Sequence, residues 1–280
     1  MRPPRRASYN SPMSTPETET FQIPLETAEL YEAKFVPALF ADWAPHVVDM
    51  ADVTAGQSVL DVACGTGIVA RTAAARVGPG GRVVGVDLNP AMLTVAERVC
   101  HGVELRQGDV ADLPFDAGTF DAALCQMALM FFPDPQRAIS EMGRVVTADG
   151  TVVVMVPSSL DDQPAYRLLV ELAARHAGPE AVAMLSAYWA RGDLDELCAT
   201  VRAAGLEVLS TRTRMGTARF ASIAEFVAVE VESTPVRARL TDGEYDALGR
   251  EAQEVLARFT SPAGTAEIPI EGHLVAARPR

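Results

Sequence analysis

Positive charge is scarce in this chain: 24 Lys and Arg stand against 37 Asp and Glu, for a formal net charge of −13. Such an acidic surface repels the phosphate backbone that supplies most nonspecific nucleic-acid affinity, so nucleic acid and anionic membranes are not expected partners. Cysteine is scarce too. Cys64, Cys100, Cys125 and Cys198 are widely spaced, form no C-x-x-C pair and have no histidine cluster nearby, which argues against a zinc site and a disulfide framework. His46, His101, His176 and His273 fit no ligand spacing, so no metal is expected. No apolar run approaches the roughly 20 residues that a membrane span needs. No apolar segment follows Arg2, Arg5 and Arg6, so no secretory leader is read and a cytoplasmic location is expected.

What is present is a core. With 49% hydrophobic and 22% charged residues the composition is that of a packed globular protein. Residues 1 to 25, rich in Pro, Ser, Thr and Glu, read as a disordered tail, with Met13 as good a start as Met1. Residues 26 to 280 read as one domain. Its N-terminal helices span 27 to 52, with Tyr31, Phe35, Leu39, Trp43 and Val47 on one stripe that Pro37 and Pro45 interrupt. Its core spans 53 to 157 and 205 to 280, and residues 158 to 204 form a helical cap.

Within the core, short β-rich runs alternate with helical text, the pattern of an α/β protein with a parallel sheet. Strands are expected at Ser58–Val62, Arg82–Val86, Val103–Gln107, Thr119–Cys125, Thr151–Val156, Leu206–Thr213 and Ile268–Ala276. Asn89-Pro90 and Asp134-Pro135 each supply a helix cap followed by proline at the first helical position.

The most informative stretch is VLDVACGTG, residues 59 to 67, where an apolar strand runs into a glycine turn that opens a helix at Ile68. Gly65 and Gly67 let the backbone approach a ligand closely. Asp87 ends the next strand at the offset where an acidic side chain meets ribose hydroxyls. Asp61 separates two nucleoside cofactors: a carboxylate beside a pyrophosphate is repelled, whereas one beside a cationic group is welcome.

VLDVACGTG, VVGVDLNPAML, QGDVADLPF and FDAALCQMALMFFPD together resemble the successive motifs of class I S-adenosylmethionine (SAM)-dependent methyltransferases, most nearly the ubiquinone and menaquinone group. The resemblance covers residues 57 to 157. It implies a Rossmann-like, doubly wound, mostly parallel seven-stranded sheet with helical cap insertions, SAM as cofactor and S-adenosylhomocysteine (SAH) as product. Carried over by position, Asp61, Ala63, Gly65, Thr66 and Gly67 would face the methionine part and the sulfonium. Asp87 would hold the ribose, Leu88 and Met92 would pack on adenine, and Asp109 and Val110 would meet its amino group and ring. Gln126 would sit near the amine and the reacting methyl, with Tyr31 and Phe35 closing over the cofactor. Ala63 departs from the family, where many members have glycine.

Met127, Met130, Phe131, Tyr188 and Trp189 are candidates for the acceptor pocket, and Tyr31 and His46 for a general base. The implied reaction is in-line methyl transfer to O, N or C of a small-molecule acceptor, with self-association into a homodimer left open. Two alternatives stand beside it: a SAM-binding fold that does not transfer methyl, of the cyclase or decarboxylase kind, and a protein or RNA methyltransferase. Against the latter, strand four ends in Cys125-Gln126-Met127-Ala128 rather than an N-P-P-Y turn.

Overall fold

The computed structural model of the chain describes residues 23–232, 234 and 236–280. Most of the expected tail lies outside them; its last residue, Leu25, already starts a helix. Seven strands form one sheet: β1 (Ser58–Val62), β2 (Arg82–Asp87), β3 (Glu104–Gln107), β4 (Phe120–Gln126), β5 (Val146–Pro157), β6 (Leu206–Phe220) and β7 (Ala266–Pro279). Their order is β3-β2-β1-β4-β5-β7-β6. The first five run parallel, and β7 is antiparallel to both β5 and β6.

The register explains the apolar strands. Leu60 lies between Val84 of β2 and Ala123 of β4, so β1 has a neighbour on each side and helices above and below. A strand covered on both faces is written as a continuous apolar run, as VVVMV in β5 is. One face carries Val59, Val83, Leu124 and Met155 against Trp43, Val47, Val69 and Ala73 from helices α2 (Ala41–Met50) and α3 (Ile68–Val77). The other carries Leu60, Val84, Ala123 and Val154 against Ile139 and Met142 of α5 (Pro135–Val145) and Leu197 and Val201 of α8 (Leu194–Ala203). From β1 the chain steps outward to β2 and β3, then crosses back to β4 on the other side of β1. Loops diverge there, and a crevice opens at the carboxyl ends of these strands.

Both expected helix caps form. The Asn89 side chain accepts from Ala91 N at 2.8 Å, opening α4 (Pro90–Val99), and Asp134 accepts from Arg137 N at 2.9 Å. Several boundaries differ from the sequence reading. β3 starts one residue later, β4 ends one later at Gln126, and β5 begins at Val146. β6 and β7 are much longer than expected, because fourteen paired positions from Leu206↔Pro279 to Phe220↔Ala266 join polar text that period counting leaves out. The cap also differs. α8 lies on the sheet through Leu197 and Val201, whereas α9 (Ile223–Glu232) and α10 (Asp242–Val255) share an apolar cluster with α6 (Pro164–Ala177) and α7 (Glu180–Ser186).

Pro37 and Pro45, which leave one helix and two shorter ones equally open in the sequence, do not break the run. Helix α1 (Leu25–Leu30) continues through a π-helical segment (Tyr31–Phe40) into α2, with Pro37 and Pro45 inside the run. Proline lacks the N–H that an α-helix needs, and a wider turn absorbs the misfit: Ala41 N–H reaches Val36 O, five residues back. This run is clipped to the body by ion pairs from Glu29 to Arg98, Glu32 to Arg71, Lys34 to Glu225, Asp42 to Arg214 and Asp49 to Arg76.

Trp43 anchors it. The ring is fully buried and lies so close to β6 that a Cβ on Gly216 would come within 2.9 Å of it. The Arg214 guanidinium covers the ring, 5.1 Å from a ring centroid. Trp43→Ala is therefore expected to cost about 3–5 kcal/mol in urea unfolding. A cost below about 1 kcal/mol would show that the helical run does not dock through this residue.

Candidate active site

The site begins where β1 ends. Asp61 is 2% exposed, and its Oδ2 accepts the N–H of Ala70 in the first turn of α3 at 2.8 Å. Burial above all, with repulsion from Asp87, pushes its carboxyl up to about 8. After Val62 the chain turns sharply: Ala63, Gly65 and Gly67 have φ of 55°, 55° and 86°. Gly67 N–H donates to Cys64 O at 2.8 Å, closing the turn. A Cβ on Gly67 would lie 2.3 Å from Cys100 Sγ, so glycine is required there for space as well as for φ. Ala63 takes the left-handed conformation without that freedom, a local strain of about 1 kcal/mol.

Asp87, at the end of β2, holds this loop. Its Oδ2 accepts Gly65 N–H and its Oδ1 accepts Asn89 N–H, each at 2.8 Å. Burial still raises its carboxyl above the ordinary range, these backbone donors opposing the rise. Two carboxyl groups thus flank one glycine turn at the crevice. Beside them, Thr66 Oγ1 and Gln126 Oε1 are buried without a hydrogen-bond partner. Gln126 is oriented through its other amide atom, Nε2, which donates to Phe40 O at 3.1 Å. A pair of unsatisfied buried oxygens at a crevice is costly unless a ligand brings donors to them.

The π-helical segment supplies the roof. Its wider turn sets Tyr31, Phe35 and Phe40 side by side, with centroids of 5.9 Å for Tyr31–Phe35 and 5.0 Å for Tyr31–Phe40. A Cβ built on Gly65 would meet the Tyr31 ring and hydroxyl at 3.8 Å, so this tyrosine stands directly over the turn. Burial, then Tyr188, Asp87, Glu32 and Asp61, push its hydroxyl well above the ordinary tyrosine range. At neutral pH it can donate a hydrogen bond but is no base.

On the far side of the crevice Met127 follows Gln126 with φ 51°, a second strained residue at a strand end. Tyr188 OH contacts its sulfur at 3.6 Å, and the Phe131 and Tyr188 rings are 5.9 Å apart. Trp189 packs on Tyr188 at 5.4 Å and on Tyr166 at 4.6 Å, and Tyr166 meets Phe226 edge-on at 5.3 Å. Met130 is half-buried beside this wall. Sequence reasoning missed Tyr166 and Glu230. Desolvation pushes the half-buried Glu230 carboxyl up to about 7, and the Tyr166 hydroxyl is buried without a hydrogen-bond partner. Nothing in the local text of α9 distinguishes Glu230 from its solvent-facing neighbours.

Other expected residues stand elsewhere. His46 lies on α2 among Arg214, Asp42, Asp49 and Arg212, and burial followed by Arg214 lowers its basicity. These are not crevice groups, which removes it as a candidate base. Asp109 is exposed and its Oδ1 accepts Ala111 N–H at 2.8 Å, capping a turn. Met92 packs with Val95 on Ala28 of α1, while Val110 is in the core and Leu88 is half-buried at the end of β2. Cys125 is fully buried with its thiol pushed far up, so it is packing rather than a nucleophile. Among the described residues no group of His, Cys, Asp and Glu could hold a metal, and no helix is long and apolar enough to cross a membrane.

Residues 60–154 match the family model of a methyltransferase domain. The chain is 37% identical over 164 residues to a nocamycin O-methyltransferase of Saccharothrix syringae, covering 56% of this chain and 58% of that one. It is 34% identical over 122 residues to a demethylmenaquinone methyltransferase of Lactobacillus johnsonii, covering 41% and 50%. The chain thus spans little more than half the length of these curated relatives. Among solved structures, a putative methyltransferase of Bacillus halodurans aligns with TM-score 0.56 at 21% identity, over 85% of this chain and 99% of that one. A Haemonchus contortus phosphoethanolamine N-methyltransferase bound to SAH aligns with TM-score 0.56 at 20% identity, over 91% and 58%. These likenesses show the fold, the Rossmann-like sheet of SAM methyltransferases.

The raised Asp61 carboxyl has a consequence for stability. Between its unfolded value near 4 and its folded value of about 8 the native state holds a proton that the unfolded chain has released, so ligand-free stability falls as pH rises through that window. Asp61→Asn is expected to flatten this fall. Urea midpoints at pH 5 and pH 8.5 check it, and an equal decline in both proteins would contradict the assignment.

Proposed function

We propose that this chain, which matches a methyltransferase domain over residues 60–154, moves the methyl group of SAM onto a small acceptor in the manner of a class I methyltransferase. The observation that carries the reading is the pair of carboxyl groups, buried Asp61 and half-buried Asp87, flanking a glycine turn beside the unpartnered Thr66 Oγ1 and Gln126 Oε1. SAM has what that set lacks: an ammonium and a ribose diol as donors, and positive charge. A pyrophosphate cofactor would instead be repelled by whichever of these groups is ionised, by about 1 kcal/mol at 4 Å even in bulk water.

When bound, SAM supplies a methyl group already activated by a positive sulfur. The residues then have separable tasks. Asp87 takes the ribose hydroxyls, and the turn from Ala63 to Gly67, with Asp61 behind it, holds the methionine part. Leu88, Met92 and Val110 line the adenine side, with Asp109 at its rim. Gln126 orients the amine. Tyr31 and Phe35 cover the cofactor and exclude water, and Tyr31 donates a hydrogen bond inward. Aligning nucleophile, methyl and sulfur can lower the barrier by as much as about 7–11 kcal/mol, so positioning carries most of the catalysis.

The acceptor side is walled by Met127, Met130, Phe131, Tyr188 and Trp189, which suits a flat, largely apolar molecule. Two curated relatives are named for methylating nocamycin at oxygen and demethylmenaquinone, which supports a small-molecule acceptor over a protein or RNA.

Calorimetry with SAH tests the cofactor. Micromolar binding is expected, and Asp87→Asn should weaken it about 100-fold through loss of the charged acceptor for two hydroxyls, with the melting temperature little changed. Unaltered affinity in the variant would contradict the ribose assignment.

A further inference from the structure

We propose that Tyr188 selects the acceptor: its hydroxyl donates a hydrogen bond to a carbonyl oxygen standing beside the hydroxyl that takes the methyl. The acceptor is then a flat ring that carries a phenol or enol next to a carbonyl. This deepens the proposed function and rests on it. Tyr188 lies on a short turn, Ala187–Trp189, that packs on a second short turn, Leu129–Phe131, just beyond β4. Its hydroxyl stands 3.6 Å from Met127 Sδ, and Met127 is the residue that follows Gln126 at the crevice.

Both ends of that contact are fixed. Met127 N–H donates to Met155 O on β5 at 2.8 Å, and its φ of 51° turns the chain out of the sheet. The Tyr188 ring is flanked by Phe131 at 5.9 Å and Trp189 at 5.4 Å. Behind it, Gly192 N–H donates to Trp189 O at 3.1 Å, and a Cβ on Gly192 would lie 2.2 Å from the backbone of Ser158, so the turn is seated directly on the chain leaving β5. A donor held this firmly loses little freedom when a ligand binds, so its hydrogen bond counts nearly in full toward affinity.

The tyrosine and its partner are poorly matched. A thioether is a weak acceptor and has no proton to give, so Tyr188 donates, and its strong O–H is spent on a weak bond. Burial, then Glu230, hold this hydroxyl far above the ordinary tyrosine range, so it keeps its proton at neutral pH. A carbonyl oxygen entering beside Met127 would replace sulfur with a better acceptor. The same wall carries further unused capacity: Ser186 Oγ, two residues before Tyr188, and the hydroxyl of Tyr166, whose ring packs on Trp189 at 4.6 Å, are buried without a hydrogen-bond partner. A purely hydrocarbon acceptor would leave all of these groups as they are, whereas one bearing oxygen satisfies at least Tyr188. Since Gln126 flanks the methionine part of SAM in the proposed function, an oxygen over Met127 is a near neighbour of the one that meets the methyl.

The full chain and Tyr188→Phe are compared by calorimetry as SAH complexes at neutral pH, with two uncharged probes that share one carbon skeleton. In 8-hydroxy-1-tetralone a carbonyl adjoins the phenol; in 5,6,7,8-tetrahydro-1-naphthol a methylene takes its place. The full chain should bind the tetralone about five- to tenfold more tightly than the naphthol, the worth of one neutral hydrogen bond. Tyr188→Phe keeps the ring and should lose that preference, binding the tetralone more weakly by about the same factor while its affinities for the naphthol and for SAH stay as they were. With SAM, the loss should appear in KM for the tetralone, with kcat changed by less than about twofold. Equal affinity of the full chain for the two probes, binding of neither by a chain that binds SAH, an equal loss for both in Tyr188→Phe, a preference that survives the substitution, a loss carried by kcat alone, or a variant that no longer binds SAH overturns the proposal. A full chain that ignores SAH overturns the cofactor reading itself.

Discussion

The placing of two acids, buried Asp61 and half-buried Asp87, at adjacent strand ends constrains the rest of the site. Two carboxyl groups that share one turn disfavour each other's ionisation, and the protein offsets this with backbone donors: Ala70 N–H on Asp61, Gly65 and Asn89 N–H on Asp87. Those three bonds set the path of the chain from Val62 to Ile68. Since α3 begins in that path and packs on α2, the position of the roof follows from the same few contacts. What remains unbalanced is charge and the bonding capacity of Thr66 and Gln126, and both are of the kind that a cationic nucleoside satisfies.

Strain is placed with equal economy. Of the three non-glycine residues with positive φ among the described residues, Ala63 and Met127 follow β1 and β4, the two strands between which the connection reverses. Each turns its chain abruptly upward at the crevice, Ala63 into the cofactor turn and Met127 toward Tyr188. A further departure from ideal geometry, the widened helix from Tyr31 to Phe40, brings three aromatic rings over the same crevice. These three departures stand where ligands would meet the fold, and the strong sheet beneath sustains them.

The sequence made the floor of the site legible and the roof and far wall much less so. Asp61, Gly65, Gly67 and Asp87 could be read because their roles are local, a strand end, a turn and a second strand end at a fixed offset. Pro37 left one helix and two equally open, because a proline in helical text ordinarily marks a break and no short-range pattern announces a π-turn that accommodates one. β6 and β7 were cut short because TRTRMGTARF has little alternation; their length comes from pairing with each other. His46 followed the helical stripe of α2 into the wrong environment, since a stripe fixes a face but not which charges meet it. Glu230 was illegible. In IAEFVAVEVE three glutamates share a short helix, and only the packing of α9 on α6 decides which of them loses the most solvent.

The central claim, that this crevice is built around buried acid to receive a cation, is tested most directly by the protons that move on binding. Asp61 is largely protonated in the ligand-free protein near pH 7 and should ionise beside the ammonium and sulfonium of SAM. Calorimetric titrations with SAM at pH 7, in buffers of different ionisation enthalpy, should therefore show net release of protons approaching one per site, less in Asp61→Asn. Binding with no proton release, or with proton uptake, would contradict the account.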